Sequence, residues 1–186
     1  MKELSELGKF SLILADPPWS YKDLGHSRRI DRQYSTLSLY KICNLPIAHV
    51  AADDCVLFLW ATAPLLPDAL EVMRMWGFKY KSNIVWDKLL FGMGHYARIR
   101  HEHLLIGVRG KPGTSAVHNL PSVISARRGK HSVKPVEAYE YIEAMYPRAS
   151  KLELFARNAR PGWSVWGNES ESGPAPVKTY DEVRCA

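Results

Sequence analysis

Apolar positions along the chain gather into short runs, and their spacing switches between a strand pattern and a helix pattern. "FSLILA" (10–15), bounded by Gly8 and two prolines, is the pattern of a buried strand. "LSLYKICNL" (37–45) has helical spacing and stops at Pro46, which predicts a short helix. "CVLFLWA" (55–61) predicts a second buried strand. "LPDALEVMRMWGF" (66–78) predicts a helix opening at Pro67 and Asp68 and closing at Gly77. "YKSNIVWDK" (80–88) and "EHLLIGVRG" (102–110) predict the third and fourth strands. Farther on, "SVIS" is a short strand among turn formers, and "KPVEAYEYIEAMY" (134–146) is a helix started by Pro135. "SKLELFAR" (150–157) is a strand, and "WSVWGNE" (163–169) begins another. The polar, Pro-containing stretch 170–186 predicts a loose tail after a single domain over 1–169. Strands alternating with helices at this spacing imply an α/β layer fold around a largely parallel sheet. Such sheets bind ligands beyond the carboxyl ends of their strands.

Composition narrows the class. At 186 residues, 46% hydrophobic and 24% charged, the chain is expected to be one soluble globular domain. No apolar run approaches the ~20 residues of a membrane span, and "MKELSELGKF" lacks the apolar core of a signal peptide. Cys43, Cys55 and Cys185 are scattered and not at metal-ligand spacing, which fits a reducing cytoplasm. His95, His101 and His103 lack a Cys or Asp to complete a ligand set, so no metal is expected. The formal charge of +6 favours polyanionic partners. Three basic stretches carry much of it: "HSRRIDR" (26–32) with Arg28 and Arg29, "ARIRHEH" (97–103), and "SARRGKHSVK" (125–134) with Arg127, Arg128 and Lys130. Singly each reads as a solvated loop; together on one rim they would grip the phosphates of a nucleic acid.

The chemistry concentrates in "LILADPPWSY" (12–21). Pro17 and Pro18 fix φ near −65° and carry no N–H, so the turn after Asp16 offers a carboxylate and carbonyl oxygens, all acceptors. A rigid set of acceptors at a strand end suits a substrate that brings donors, such as an exocyclic amine. Trp19 supplies a flat ring that could stack on a base or fill the core.

This stretch resembles motif IV of amino-directed, adenosylmethionine-dependent methyltransferases. The chain as a whole is similar to the DPPW-type N6-adenine methyltransferases, which include the seventy-kilodalton messenger-RNA adenosine methyltransferase subunit and bacterial and phage relatives. "GKFSLILADPPW", "QYSTLSLYKICNLPI", "CVLFLWAT", "WGFKYKSNIVWDK", "EHLLIGVRG", "HSVKPVEAYEYIEAMYP", "KLELFAR" and "GWSVWGNE" look like family blocks in family order. The resemblance implies a Rossmann-like class I methyltransferase fold, circularly permuted so that the catalytic strand precedes the cofactor-binding strand. It implies that Asp16 and the Pro17 carbonyl accept hydrogen bonds from the target amine and lie against S-adenosylmethionine. Tyr34 and Trp86 match family aromatics near the target amine and Trp60 is a further substrate candidate, each with core packing as the alternative role. Glu153 takes the position of the acid that binds the cofactor ribose, with Phe155, Arg157, Asn168, Glu169 and His101 as further pocket candidates.

The chain also departs from the family pattern. Glu169 stands where relatives can carry Gln, and His101 where the messenger-RNA enzyme has a Lys beside the cofactor carboxylate, with Arg100 as a possible substitute. An acid that longer relatives carry upstream of the motif has no counterpart, so the cofactor-adenine contact is expected elsewhere, such as in "GNESES". The compact chain looks like the bacterial or phage branch. This implies a cytoplasmic enzyme, with DNA as the favoured substrate, RNA the alternative, and a second copy or partner subunit supplying part of the grip. Two other readings stay open: a non-catalytic nucleic-acid-binding subunit, and methylation of another planar amine or amide.

Overall fold

The computed structural model describes residues 4–21, 36–92, 94, 96–129 and 133–167. The predicted tail and the residues Arg28, Arg29, Tyr34, Lys130, Asn168 and Glu169 lie outside the described residues.

The elements follow in the order β1 (Phe10–Ala15), α1 (Leu39–Cys43), β2 (Ala51–Thr62), α2 (Leu66–Met75), β3 (Lys79–Asp87), β4 (His101–Arg109), β5 (Val123–Ser125), α3 (Val136–Met145), β6 (Lys151–Leu154) and β7 (Trp163–Trp166). Ser38 caps α1 by accepting from the Lys41 amide, and Pro67 sits in the first turn of α2, where its missing N–H costs nothing. The strands form a seven-stranded sheet in the order β5-β3-β4-β2-β1-β6-β7. β1 lies between β2 and β6 in parallel pairing, β7 adds in parallel to β6, and β5 in parallel to β3. β4 runs antiparallel to both of its neighbours, β2 and β3. The sheet is therefore largely parallel, with β4 alone reversed.

Strand alternation sorts side chains onto two faces. Ile13 and Ala15 of β1, Leu57 and Leu59 of β2 and Leu105 of β4 pack beneath α1 and α2 with Ile42, Val72 and Met73. Leu12, Leu14, Phe58, Trp60, Trp86 and Leu104 pack on the opposite face against Ala138 and Ile142 of α3. Phe58, Leu12, Ile13, Leu14 and Leu104 are fully buried. At about 1.5–3 kcal/mol per fully buried apolar side chain, these two layers supply the main drive that holds the strand ends in place.

Candidate active site

Sheet register decides which residues meet. Ala15 pairs with Leu59 and with Leu154, Thr62 pairs with Glu102, and Glu102 pairs with Trp86. The carboxyl ends of β1, β2, β3 and β6 thus share one edge with the amino end of the reversed β4. Asp16 follows β1 directly. By alternation Asp16, Glu102, Trp60, Trp86 and Glu153 belong to the α3 face, and α3 begins just after Lys134.

Lys134 closes the arrangement. Its Nζ stands 2.8 Å from Asp16 Oδ2 and 3.2 Å from Glu102 Oε2, and 5.3 Å from the Trp60 ring centroid. Glu102 Oε1 takes a second cation, Lys88, at 2.5 Å, which in turn lies 5.3 Å from the Trp86 ring centroid. Two carboxylates and two ammoniums therefore alternate above a T-shaped Trp60–Trp86 pair with centroids 6.1 Å apart. Burial pushes the Asp16 carboxyl up and Glu102 adds to the rise, against the pull of Lys134 and Arg157; the net direction is up. Burial also opposes the charge on Glu102, but the two lysines outweigh it and hold that carboxyl below its ordinary range. Lys134 is likewise held above its ordinary value, its two acids overcoming the cost of burial. Glu102 and Lys134 are thus a charged framework, and Asp16 is the group at which basicity is raised. Its side chain remains 27% exposed.

The turn after β1 is tight. The Trp19 amide donates to the Pro17 carbonyl at 2.8 Å and the Leu37 amide to the Pro18 carbonyl at 2.9 Å. The Pro17 carbonyl therefore already serves one donor inside the protein, and its second lone pair remains for a substrate. Trp19 is 8% exposed and its indole N–H donates to the Trp60 carbonyl at 3.1 Å. This corrects the expectation of a stacking platform: the ring pins the corner to β2 from inside the core. Trp60 and Trp86 are corrected in the same way, being 2% and 3% exposed, with the Trp86 indole N–H bonded to the Ala126 carbonyl. Tyr21 is the aromatic that stays half-buried at the rim, 2.8 Å from Thr62 Oγ1 at the end of β2.

At the β6 end, Glu153 is half-buried on the α3 face and accepts the Tyr139 hydroxyl at 2.8 Å. Phe155 follows β6 with φ 63, a left-handed conformation that strains a residue with a side chain. Its ring meets Trp166 edge-on with centroids 5.7 Å apart. Where β7 exits at Gly167, an added Cβ would lie 2.6 Å from the Ala156 carbonyl oxygen, so the backbone there forms a close-walled cradle. Arg157 is half-buried with its charge near Asp16. Carboxylates from β1 and β6 beside this cradle match what adenosylmethionine presents, a cationic sulfonium, an ammonium and vicinal ribose hydroxyls. The residues fit the cofactor that the motif implies.

His101 does not join them. Its alternation phase is opposite to that of Glu102, and with Val85, Asp87, Arg100 and Val123 it lines a shallow groove of about 430 Å³ on the other face of the sheet. Its ring packs against His103 at 5.0 Å, and Arg100 is bidentate on Asp87. A role for His101 or Arg100 at a cofactor carboxylate is thereby corrected. Arg127 and Arg128 are exposed just beyond β5 on the shared edge. Sequence reading missed Lys134 and Glu102, which lie inside stretches that looked like solvated basic loops. The available signal was the phase of Glu102, two residues from the apolar Leu104 on a strand. Among the described residues no group of three or more His, Cys, Asp or Glu could hold a metal ion, and no helix is long and apolar enough to cross a membrane.

A doubly covered, largely parallel sheet with an acid-Pro-Pro corner at its carboxyl edge defines a methyltransferase of the adenosylmethionine-dependent fold. The MT-A70 pattern matches residues 10–169, and the chain belongs to the MT-A70 family of adenine N6-methyltransferases. It is 33% identical over 195 aligned positions to the type II methyltransferase M.MunI of a Mycoplasma species, covering 94% of this chain and 84% of that one. It is 34% identical to the human N(6)-adenosine-methyltransferase catalytic subunit METTL3, over 90% of this chain but only 29% of that protein. For the Arabidopsis thaliana MT-A70-like N(6)-adenosine-methyltransferase the identity is 35%, over 88% of this chain and 24% of the relative.

Proposed function

We propose that the protein transfers a methyl group from S-adenosylmethionine to the N6 amine of adenine in DNA. The observation that carries the reading is Asp16, 27% exposed just after β1 and held 2.8 Å from Lys134 Nζ, with its carboxyl raised by burial. The lone pair of adenine N6 is delocalised into the ring, so the nitrogen is a weak nucleophile. A carboxylate that accepts one amine hydrogen, with a carbonyl accepting the other, pulls density onto the nitrogen and aims it. In this reading Asp16 Oδ and the Pro17 carbonyl accept these two bonds. Positive charge then develops on nitrogen and is stabilised by the fixed acceptors by several kcal/mol; one N6 proton is lost to Asp16 or to solvent, and S-adenosylhomocysteine is the second product. The cofactor supplies an electrophilic methyl carbon on a sulfonium. Glu153, Phe155 and Arg157 would hold its nucleoside, together with the pocket candidates Asn168 and Glu169.

A base within a duplex must be extruded to reach this corner. Arg127 and Arg128 stand on the same edge and are exposed, as phosphate contacts require. Arg28, Arg29 and Lys130 are proposed to extend that grip, with Tyr34 against the base. DNA is favoured because the 84% coverage of a bacterial type II methyltransferase is nearly end to end, whereas the eukaryotic RNA-directed relatives are matched over less than a third of their length. A second copy or a partner subunit would complete the grip; Phe91 and Tyr96, 68% and 107% exposed near the site edge, offer apolar surface for it. Methyl transfer to matched DNA and RNA oligonucleotides tests the reading. Activity on DNA adenine supports it, and activity on RNA alone overturns the substrate choice.

A further inference from the structure

We propose that Tyr139 is a positioning residue for Glu153, fixing the carboxylate that receives the cofactor ribose. The proposal rests on the reading of Glu153 given above and adds a residue that neither motif nor spacing assigns.

Tyr139 projects from α3 and its hydroxyl donates to Glu153 Oε1 at 2.8 Å. Its ring is boxed. The Arg160 guanidinium carbon lies 4.8 Å from the ring centroid, and Trp163 meets it edge-on at 5.8 Å and 80°. Both walls are anchored by one acid. Arg160 is bidentate on Glu143 at 2.7 and 2.9 Å, and the Trp163 indole N–H reaches Glu143 Oε1 at 2.8 Å. Residues from α3, β7 and the turn between β6 and β7 thus immobilise a phenol whose single polar atom points at Glu153. A glutamate side chain on a pocket wall has three torsions to lose on binding a ligand. Holding Oε1 in advance removes that cost and leaves Oε2 to accept a hydroxyl.

The same bond bears on charge. The groups facing Glu153 are Asp16 just after β1, Tyr139 on α3 and Arg160 in the turn after β6. Burial pushes the Glu153 carboxyl up and Asp16 pushes it further; the Tyr139 bond opposes both, with Arg160 adding a smaller pull the same way. Without the phenol hydroxyl, Glu153 protonates at higher pH, and an acceptor is lost.

The test uses S-adenosylhomocysteine, the demethylated cofactor, in calorimetric titrations against the full chain and its Tyr139→Phe and Glu153→Gln variants over a range of pH. Tyr139→Phe is expected to weaken binding on the order of tenfold, as loss of one hydrogen bond to a charged group does. The acidic limb of binding should move to higher pH and KM for the cofactor should rise, while kcat at saturating cofactor and KM for the oligonucleotide change far less; the ligand-free melting temperature falls modestly at neutral pH, because the same bond holds the folded-state Glu153 carboxyl down. A merely structural role would lower the melting temperature and leave the pH limb in place, which overturns the proposal. Unchanged binding in Tyr139→Phe alongside weakened binding in Glu153→Gln also overturns it. Unchanged binding in Glu153→Gln removes the ribose reading itself and the proposal with it.

Discussion

Lys134 Nζ and Asp16 Oδ2 are 2.8 Å apart, so the acid at the head of the Pro-Pro corner faces a largely buried cation delivered from just ahead of α3. Two segments over a hundred residues apart in sequence meet at this bond. In the proposed mechanism the substrate amine engages a carboxylate that one ammonium already holds, and Glu102 offers that ammonium a second acid 3.2 Å away.

Replacing Asp16 by Ala is expected to lower kcat by about 10²–10³-fold or more, the scale seen when one preorganised electrostatic group is lost. Tritiated-methyl transfer measures it, with circular dichroism to verify the fold. Full activity in a folded Asp16→Ala protein would contradict the mechanism.

Lys134→Ala leaves two acids facing one another without their shared cation. Breaking one partner out of a buried charged cluster costs about 3–5 kcal/mol, and thermal melting at neutral pH should fall accordingly. The pH dependence has a definite sign. With Lys134 gone, Asp16 loses the main cation that pulls its carboxyl down and Glu102 keeps only Lys88, so the folded variant takes up these protons at higher pH than the folded parent does. The deficit relative to the parent should therefore shrink as pH falls through the raised values toward about 4.

Trp19→Ala should behave as a core deletion. The expected loss is about 3–5 kcal/mol in denaturant unfolding, while the oligonucleotide KM of the folded fraction changes little. A large KM increase with unchanged stability would restore the stacking role that burial argues against.

Asp87 makes a pH prediction away from the reacting groups. Arg100 holds its carboxyl down to about 2, with help from the Leu89 amide. A lowered acid stabilises the fold above its unfolded value and loses that contribution as pH falls, here between about 4 and about 2. Carboxyl-carbon NMR titration should show Asp87 returning toward 4 in Arg100→Gln, with little effect on methyl transfer.

The sequence made the scaffold legible where local pattern and tertiary burial agree. Phe10–Ala15 was readable to the residue because an apolar run met Pro17 and Pro18, and the helix at Leu66–Met75 because Pro67 and Gly77 punctuate it. β2 proved longer than its apolar run, because "AADD" before Cys55 continues the strand with its polar residues exposed. The reversal of β4 had a faint cue in two successive strands, 80–88 and 102–110, with no helix between them. Which way Trp19, Trp60 and Trp86 point had none, since a tryptophan's side of a sheet is set by what packs upon it. Lys134 and Glu102 were hidden for a related reason: a charge looks solvated until its counter-charge arrives from a distant segment.

The reversed fourth strand has an evolutionary corollary. Because His101 at the start of β4 pairs with Asp87 at the end of β3, the connection between these two strands begins and ends at the carboxyl edge of the sheet. That stretch can lengthen, shorten or change composition while the two packed layers stay as they are. If the proposed function holds, selection for a new target sequence would find its most tolerant raw material there.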